Sequence, residues 1–205
     1  MKKFFRIVMF ALVIGLAAPT VSAQTYGMTE KEMKQNKKAA EKQAKAKAKE
    51  LKKQKWIYAG ANTLENELTN YLLATEFSDG KTEGMVETIT QAPSIRRGES
   101  EARSAAENDF VREIQIAIKG EIAELSGNAS GEYVETQVDK WSKRVAQELN
   151  GDIKRHFYIY KENPNHTFQV TVYFSRPSVA GNSALKNQLK NNIEFINDIK
   201  QSMGD

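Results

Sequence analysis

The chain has 205 residues, no cysteine and a formal net charge of +4. That length suffices for one domain with a real core plus an appendage. The missing cysteine excludes disulfides, and it excludes the lipid-attachment residue a lipoprotein carries at its mature start. The charge is unevenly spread. Met1 to Arg6 carries +3 from Lys2, Lys3 and Arg6, and Thr29 to Lys55 holds 11 Lys against 4 Glu, or +7. The remainder is therefore −6 of the total of +4, so an acidic domain follows a basic N-terminal arm.

Residues 1–23 read as a secretory signal peptide. Lys2, Lys3 and Arg6 form a basic start, Ile7 to Ala18 an apolar run, and Val21-Ser22-Ala23 a small-residue cleavage site before Gln24. The apolar run is too short to stay as a spanning helix, and no later stretch reaches that length. The mature protein is thus expected to be exported, to the periplasm or outer cell surface, and to be soluble or peripherally attached.

Residues 24–55 read as a helical arm. Thr29-Glu30-Lys31-Glu32 has the form of a capping box, and Lys34 to Lys55 is almost wholly Ala, Lys, Glu and Gln. Only Met33 and Leu51 are large, so no apolar stripe is evident. The segment reads as an exposed spacer or charged arm outside the core, and its deletion is expected to leave the domain folded.

The domain is placed at residues 56–205. Trp56-Ile57-Tyr58 is expected to pin the arm to the body. Asn62-Thr63-Leu64-Glu65 starts a helix with Leu64, Leu68, Tyr71 and Leu72 on one face, ending near Glu76. Met85 to Gln91 has strand composition, and Pro93 and Gly98 bracket a loop or extended stretch. A long helix over about Glu99 to Leu125 carries Ala102, Ala105 and Ala106, then Phe110, Val111, Ile114, Ile118 and Ile122. After the turn at Ser126 to Gly131, a second helix from Glu132 to Asn150 aligns Val134, Val138, Trp141, Val145 and Leu149 on a core face. Ile153–Lys161 and Thr167–Arg176 alternate as a β-hairpin about Asn163-Pro164-Asn165. Alternation puts Ile153, Phe157 and Ile159 on one side and His156, Tyr158 and Tyr160 on the other, with Tyr173 grouped beside those tyrosines. A last helix runs from about Asn182 to Met203. The expected class is α+β. A small antiparallel sheet of three to four strands packs against a long helical hairpin and a C-terminal helix.

The order strand, Gly98-Glu99-Ser100-Glu101-Ala102-Arg103-Ser104-Ala105-Ala106, long helix, second helix and hairpin is similar to the Lpp-twenty-type envelope lipoprotein family of Helicobacter. In that family a Gly precedes a helix of Ala-x-x-x-Ala character. The whole chain also resembles secreted proteins of Bacteroides-like bacteria with a Lys/Ala-rich arm ahead of a Trp-containing segment. The likeness covers about Trp56 to Pro177. It implies an envelope location and a binding or structural role, and it brings no catalytic residues. This chain departs from the lipid-anchored form because it has no cysteine.

No residue pattern carries a recognisable chemistry. His156, His166 and Glu162 could meet across the hairpin as a weak metal site, but surface histidines are the simpler reading. Ser126, Ser130 and Ser178 lack a nucleophile elbow. The turn from Gly127 to Gly131 lacks the lysine and preceding strand of a phosphate loop. Glu99, Glu101, Glu107, Asp109 and Glu113 lie among arginines on a helix and read as a solvated face. No cofactor is expected. Candidate anion contacts are Arg96 and Arg97, an exposed pair near a helix start, and Lys45, Lys49, Lys52 and Lys53 of the arm. The leading expectation is a non-enzymatic envelope module whose partners are an anionic envelope surface or an envelope protein, with nucleic acid not expected in vivo. The alternatives are an envelope hydrolase or carbohydrate-active enzyme, and a docking subunit of an envelope complex. Tyr158, Tyr160 and Tyr173 could form a binding platform, although coverage of both hairpin faces is favoured.

Overall fold

The computed structural model describes residues 29–77, 80, 82–126, 135, 136, 138–140, 142, 143 and 153–179. The expected signal peptide at residues 1–23, the expected turn beyond Ser126, Val134, Trp141, Val145 and Leu149, and the helix expected over 182–203 lie outside the described residues. What is described is α+β, and its named elements are α1 Glu30–Lys53, α2 Leu64–Thr75, β1 Thr82–Ala92, α3 Ile95–Ser126, β2 Lys154–Glu162 and β3 Phe168–Pro177, with the strands in one antiparallel sheet. The sheet order is β1-β3-β2, so the hairpin β2-β3 receives β1 on its far edge.

Each helix start follows from its cap. Thr29 and Glu32 form the reciprocal capping box of α1, and the Thr29 hydrogen bonds hold the Glu32 carboxyl below its ordinary range. Thr63 caps α2. Helix α1 stops in a Schellman arrangement. Trp56 N–H donates to Leu51 O at 3.0 Å and Lys55 N–H to Lys52 O at 3.1 Å, with Lys55 in the left-handed region at φ 63°. The same turn brings Trp56 against the core that contains Leu51.

The sheet is covered by α3 on one face and in part by α1 and α2 on the other, where Gly84, Val86, Thr88 and Thr90 of β1 stay exposed. On one, α3 packs Ala102, Ala106, Phe110, Ile114 and Ile118 against Val170, Val172 and Phe174. Val138, one of the helical residues described beyond α3 (135, 136, 138–140, 142 and 143), joins this cluster, and Gln115 Nε2 donates to Asp139 Oδ1 at 2.9 Å. Gly98 marks the closest approach, because a Cβ there would lie 2.6 Å from Val170 Cγ2. Small residues therefore start the packed row and larger ones fill it where α3 stands further off. On the other face, α2 and α1 cover Phe157, Ile159 and Tyr173. Among the described residues no helix is long and apolar enough to cross a membrane.

Four expectations are corrected. The first concerns the arm. Ala40, Ala44 and Ala48 are fully buried and Leu51 nearly so, in one cluster with Leu64, Leu68 and Leu72 of α2. Spacing of four, four and three residues places them on one side of the helix. The C-terminal half of α1 is therefore core, and removing residues through Lys55 would uncover α2. The second is the start of α3. The helix begins at Ile95, so Arg96, Arg97 and Gly98 occupy its first turn instead of a loop. Ser94 supplies the cap, accepting from Arg97 N–H at 3.2 Å through Oγ.

The other two come from one β-bulge. The β2-β3 register shifts between Arg155, opposite Phe174, and Phe157, opposite Tyr173. His156 is the extra residue, and the shift resets the alternation. Ile153 joins the α3-side cluster, whereas Phe157 and Ile159 join the α2-side cluster. Tyr173 parts from Tyr158 and Tyr160. It stacks on Phe157 at 4.3 Å with 14° between ring planes, while Tyr158, Tyr160 and Phe168 pack on the α3 side. Trp56-Ile57-Tyr58 pins α1 to the sheet as expected. Ile57 and Tyr160 exchange backbone hydrogen bonds of 2.8 and 2.9 Å, and Lys161 Nζ lies 4.7 Å from the Trp56 ring.

Candidate functional site

The alanine side of α1 is fixed against α2, so the rest of the helix surface is presented at a set orientation. At 100° per residue, Lys31, Lys34, Lys38, Lys42, Lys45, Lys49 and Lys52 fall within one sector of about 80°. Every α1 position in that sector is lysine, and all seven are exposed. The row spans 21 residue steps, or about 32 Å of helix. Glu30 and Glu41 fall beside it, and Glu32 and Glu50 are well around the helix. Among the described residues, only Lys52 of the seven has a carboxylate in ion-pair reach, Glu65 at 3.7 Å. The sector's centre lies about 115° around the axis from the buried alanines, so docking does not cover it.

Of the residues expected to contact anions, Lys45, Lys49 and Lys52 lie in this sector and Lys53 lies just outside its edge. Lys31, Lys34, Lys38 and Lys42 were missed by reading composition alone. Their three- and four-residue spacing was the signal that could have found them. Arg96 and Arg97 do not join them. They belong to α3, on the opposite side of the sheet from α1. Arg97 Nε donates to Glu101 Oε1 at 2.8 Å, and Ser94 already satisfies an amide of that helix start.

The histidines are far apart. His166 lies in the turn, its Nδ1 3.1 Å from Glu162 Oε1. His156 is six strand residues from Glu162, about 20 Å away at strand rise. Among the described residues no three His, Cys, Asp or Glu side chains group as a metal site. His156 Nε2 lies 2.8 Å from Ser175 Oγ, which has the form of a base beside a nucleophile. Ser175, however, is 5% exposed within the central strand, and the Tyr71 ring meets His156 edge-on at 5.4 Å. A substrate carbonyl has no approach to that hydroxyl, so the pair ties the bulge to β3. Burial, with Lys154 nearby, holds the imidazole below its ordinary pKa and favours its neutral form.

The carboxylates of α3 are partly structural. Buried Arg176 projects from β3 over the Phe110 ring, 5.3 Å from its centroid, and pairs through Nη2 with Glu113 and, at 3.6 Å, with Glu83. Burial raises the Glu87 carboxyl, Asp109 adds to that and Arg176 opposes it. Through Arg176 of β3, Glu113 and Glu83 join α3 to the edge strand β1. Ser178 donates to Glu83 in the same cluster.

Compared with known proteins, the chain matches no family model, no curated protein and no solved structure. The functional reading therefore rests on the chain's own chemistry, and the lysine sector is its most distinctive element.

Proposed function

We propose that this protein is an exported, non-enzymatic module of the bacterial cell envelope that contacts an anionic envelope surface through α1. The observation that carries the reading is the unbroken lysine sector on a helix whose other side is locked into the core. A plain spacer needs charge for solubility, but it does not need every position of one sector to be lysine. The leader at Met1 to Ala23 supports export. Outside the leader and the arm the chain carries −6, so its excess positive charge is concentrated in the arm. The resemblance to envelope lipoproteins of the Lpp-twenty type supports the same address, with electrostatic contact in place of a lipid.

Expression in a bacterial host with mass spectrometry of the fractionated protein tests this reading. The expected product begins at Gln24, sediments with envelope material at low salt and is released as salt is raised, since screening shortens to about 8 Å at physiological ionic strength. A cytoplasmic product retaining Met1 to Ala23 would overturn it.

A further inference from the structure

We infer that the lysine sector of α1 is a docking face for the headgroup plane of an anionic phospholipid bilayer, with the helix lying parallel to the surface. This rests on the surface-contact reading above and names its partner. Three features select a bilayer.

First, the sector contains lysine alone. Arginine forks, which recognise a fixed phosphate or carboxylate bidentately, are absent from α1. Ammonium groups on flexible stems suit headgroups that move laterally. Second, the sector carries no aromatic or aliphatic side chain. That disfavours both base or sugar stacking and insertion of the helix into the acyl region. Met33, the exposed large residue of α1, lies on the line of the alanine seam and not in the sector. Third, the geometry suits a plane. A straight row about 32 Å long, confined to about 80°, allows all seven ammonium groups to meet one flat surface together. Residues 30–35 are exposed all round, so the body does not obstruct approach at that end. The described part of the body packs on the alanine side of α1, away from the sector.

The test uses the mature chain beginning at Gln24 and three probes at low salt. These are vesicles of phosphatidylglycerol mixed equally with phosphatidylcholine, vesicles of phosphatidylcholine alone, and heparin as a soluble polyanion. Two triple variants remove the same charge. One is Lys38→Gln, Lys45→Gln, Lys49→Gln within the sector, and the other is Lys37→Gln, Lys47→Gln, Lys154→Gln outside it. Circular dichroism confirms that both keep the fold. The expected result is partitioning of the unaltered chain onto the anionic vesicles only. The sector triple should lower it by roughly a hundredfold, and the outside triple by less than about tenfold. Equal losses from the two triples would overturn the sector. Tighter retention on heparin than on vesicles would overturn the bilayer and leave a polyanionic polymer as partner. Absence of binding to both anionic probes would overturn the surface-contact reading as well. Cleavage at Gln24 would still report separately on export.

Discussion

The two faces of the sheet are built from different materials. On the α3 side, the helix supplies the bulk: Phe110, Ile114 and Ile118 meet Val170, Val172 and Phe174. On the α1-α2 side, much of the bulk comes from aromatics of the sheet and its flanks. Phe157 stacks on Tyr173 at 4.3 Å, and Tyr71 meets both edge-on, at 6.4 and 5.2 Å. Helix α1 brings mainly Ala40, Ala44 and Ala48. A large-to-large interface can be read from helical periodicity alone. A small-to-large interface cannot, because half of its signal lies in another segment. A helix that docks through alanine sits close and commits few positions to the core, leaving the lysine sector uncovered.

The comparison is tested most severely at Phe110, which is fully buried and also floors the Arg176 guanidinium. Phe110→Ala should cost about 3–5 kcal/mol, read as a fall in denaturant midpoint at unchanged slope. An unchanged midpoint would mean that the α3 face is not the principal core. Next in size is Gly98→Ala. The new methyl would meet Val170 Cγ2 and Cβ at 2.6 and 2.8 Å, so helix and strand must separate. A loss of about 1–3 kcal/mol is expected, with partial recovery in the double variant carrying Val170→Ala. Additive losses in that cycle would show that the two residues do not touch.

The α1 face is sharpened by a pair of substitutions two residues apart. Ala44→Leu forces a large side chain into the seam with α2 and should cost about 1–2 kcal/mol. Ala46→Leu lies on the exposed side and should fall within about 0.5 kcal/mol of the unaltered chain. Equal, small effects at both positions would return α1 to the status of a free arm.

Much of this architecture is legible in the sequence. Caps at Thr29 and Thr63, the turn at Asn163-Pro164-Asn165 and the large-residue row of α3 declare themselves through local chemistry. Three features do not. Alanine is both the best helix former and a good close-packing residue, so a run rich in it reads equally well as spacer or seam. Helix α3 takes in Gly98 because strand β3 passes beside it, which no local propensity reports. The bulge at His156 arises because Tyr71 and Ser175 accept the imidazole on the same side as Phe157. Strict alternation had placed it on the other. The site was half legible: composition drew notice to Lys45, Lys49, Lys52 and Lys53, and the spacing that adds Lys31, Lys34, Lys38 and Lys42 is in the sequence, but only docking of the alanine side fixes which way that sector faces.

The smallest effect belongs to that bulge. His156 is half-buried, and burial depresses its pKa in the folded chain below the ordinary value of 6.5. The unfolded chain therefore binds a proton at a higher pH than the folded one does. The contribution of the neutral imidazole is present in full above about pH 6.5 and is lost as pH falls through the lower, folded value. His156→Gln keeps a group able to hydrogen bond with Ser175 but removes the titration. The unaltered chain should lose more stability than this variant between pH 7 and pH 5, measured as denaturant midpoints at constant ionic strength. If His156→Gln leaves that slope intact, the imidazole is not shielded by Tyr71. The bulge would then stand open to solvent, as the β1 edge of the same face does.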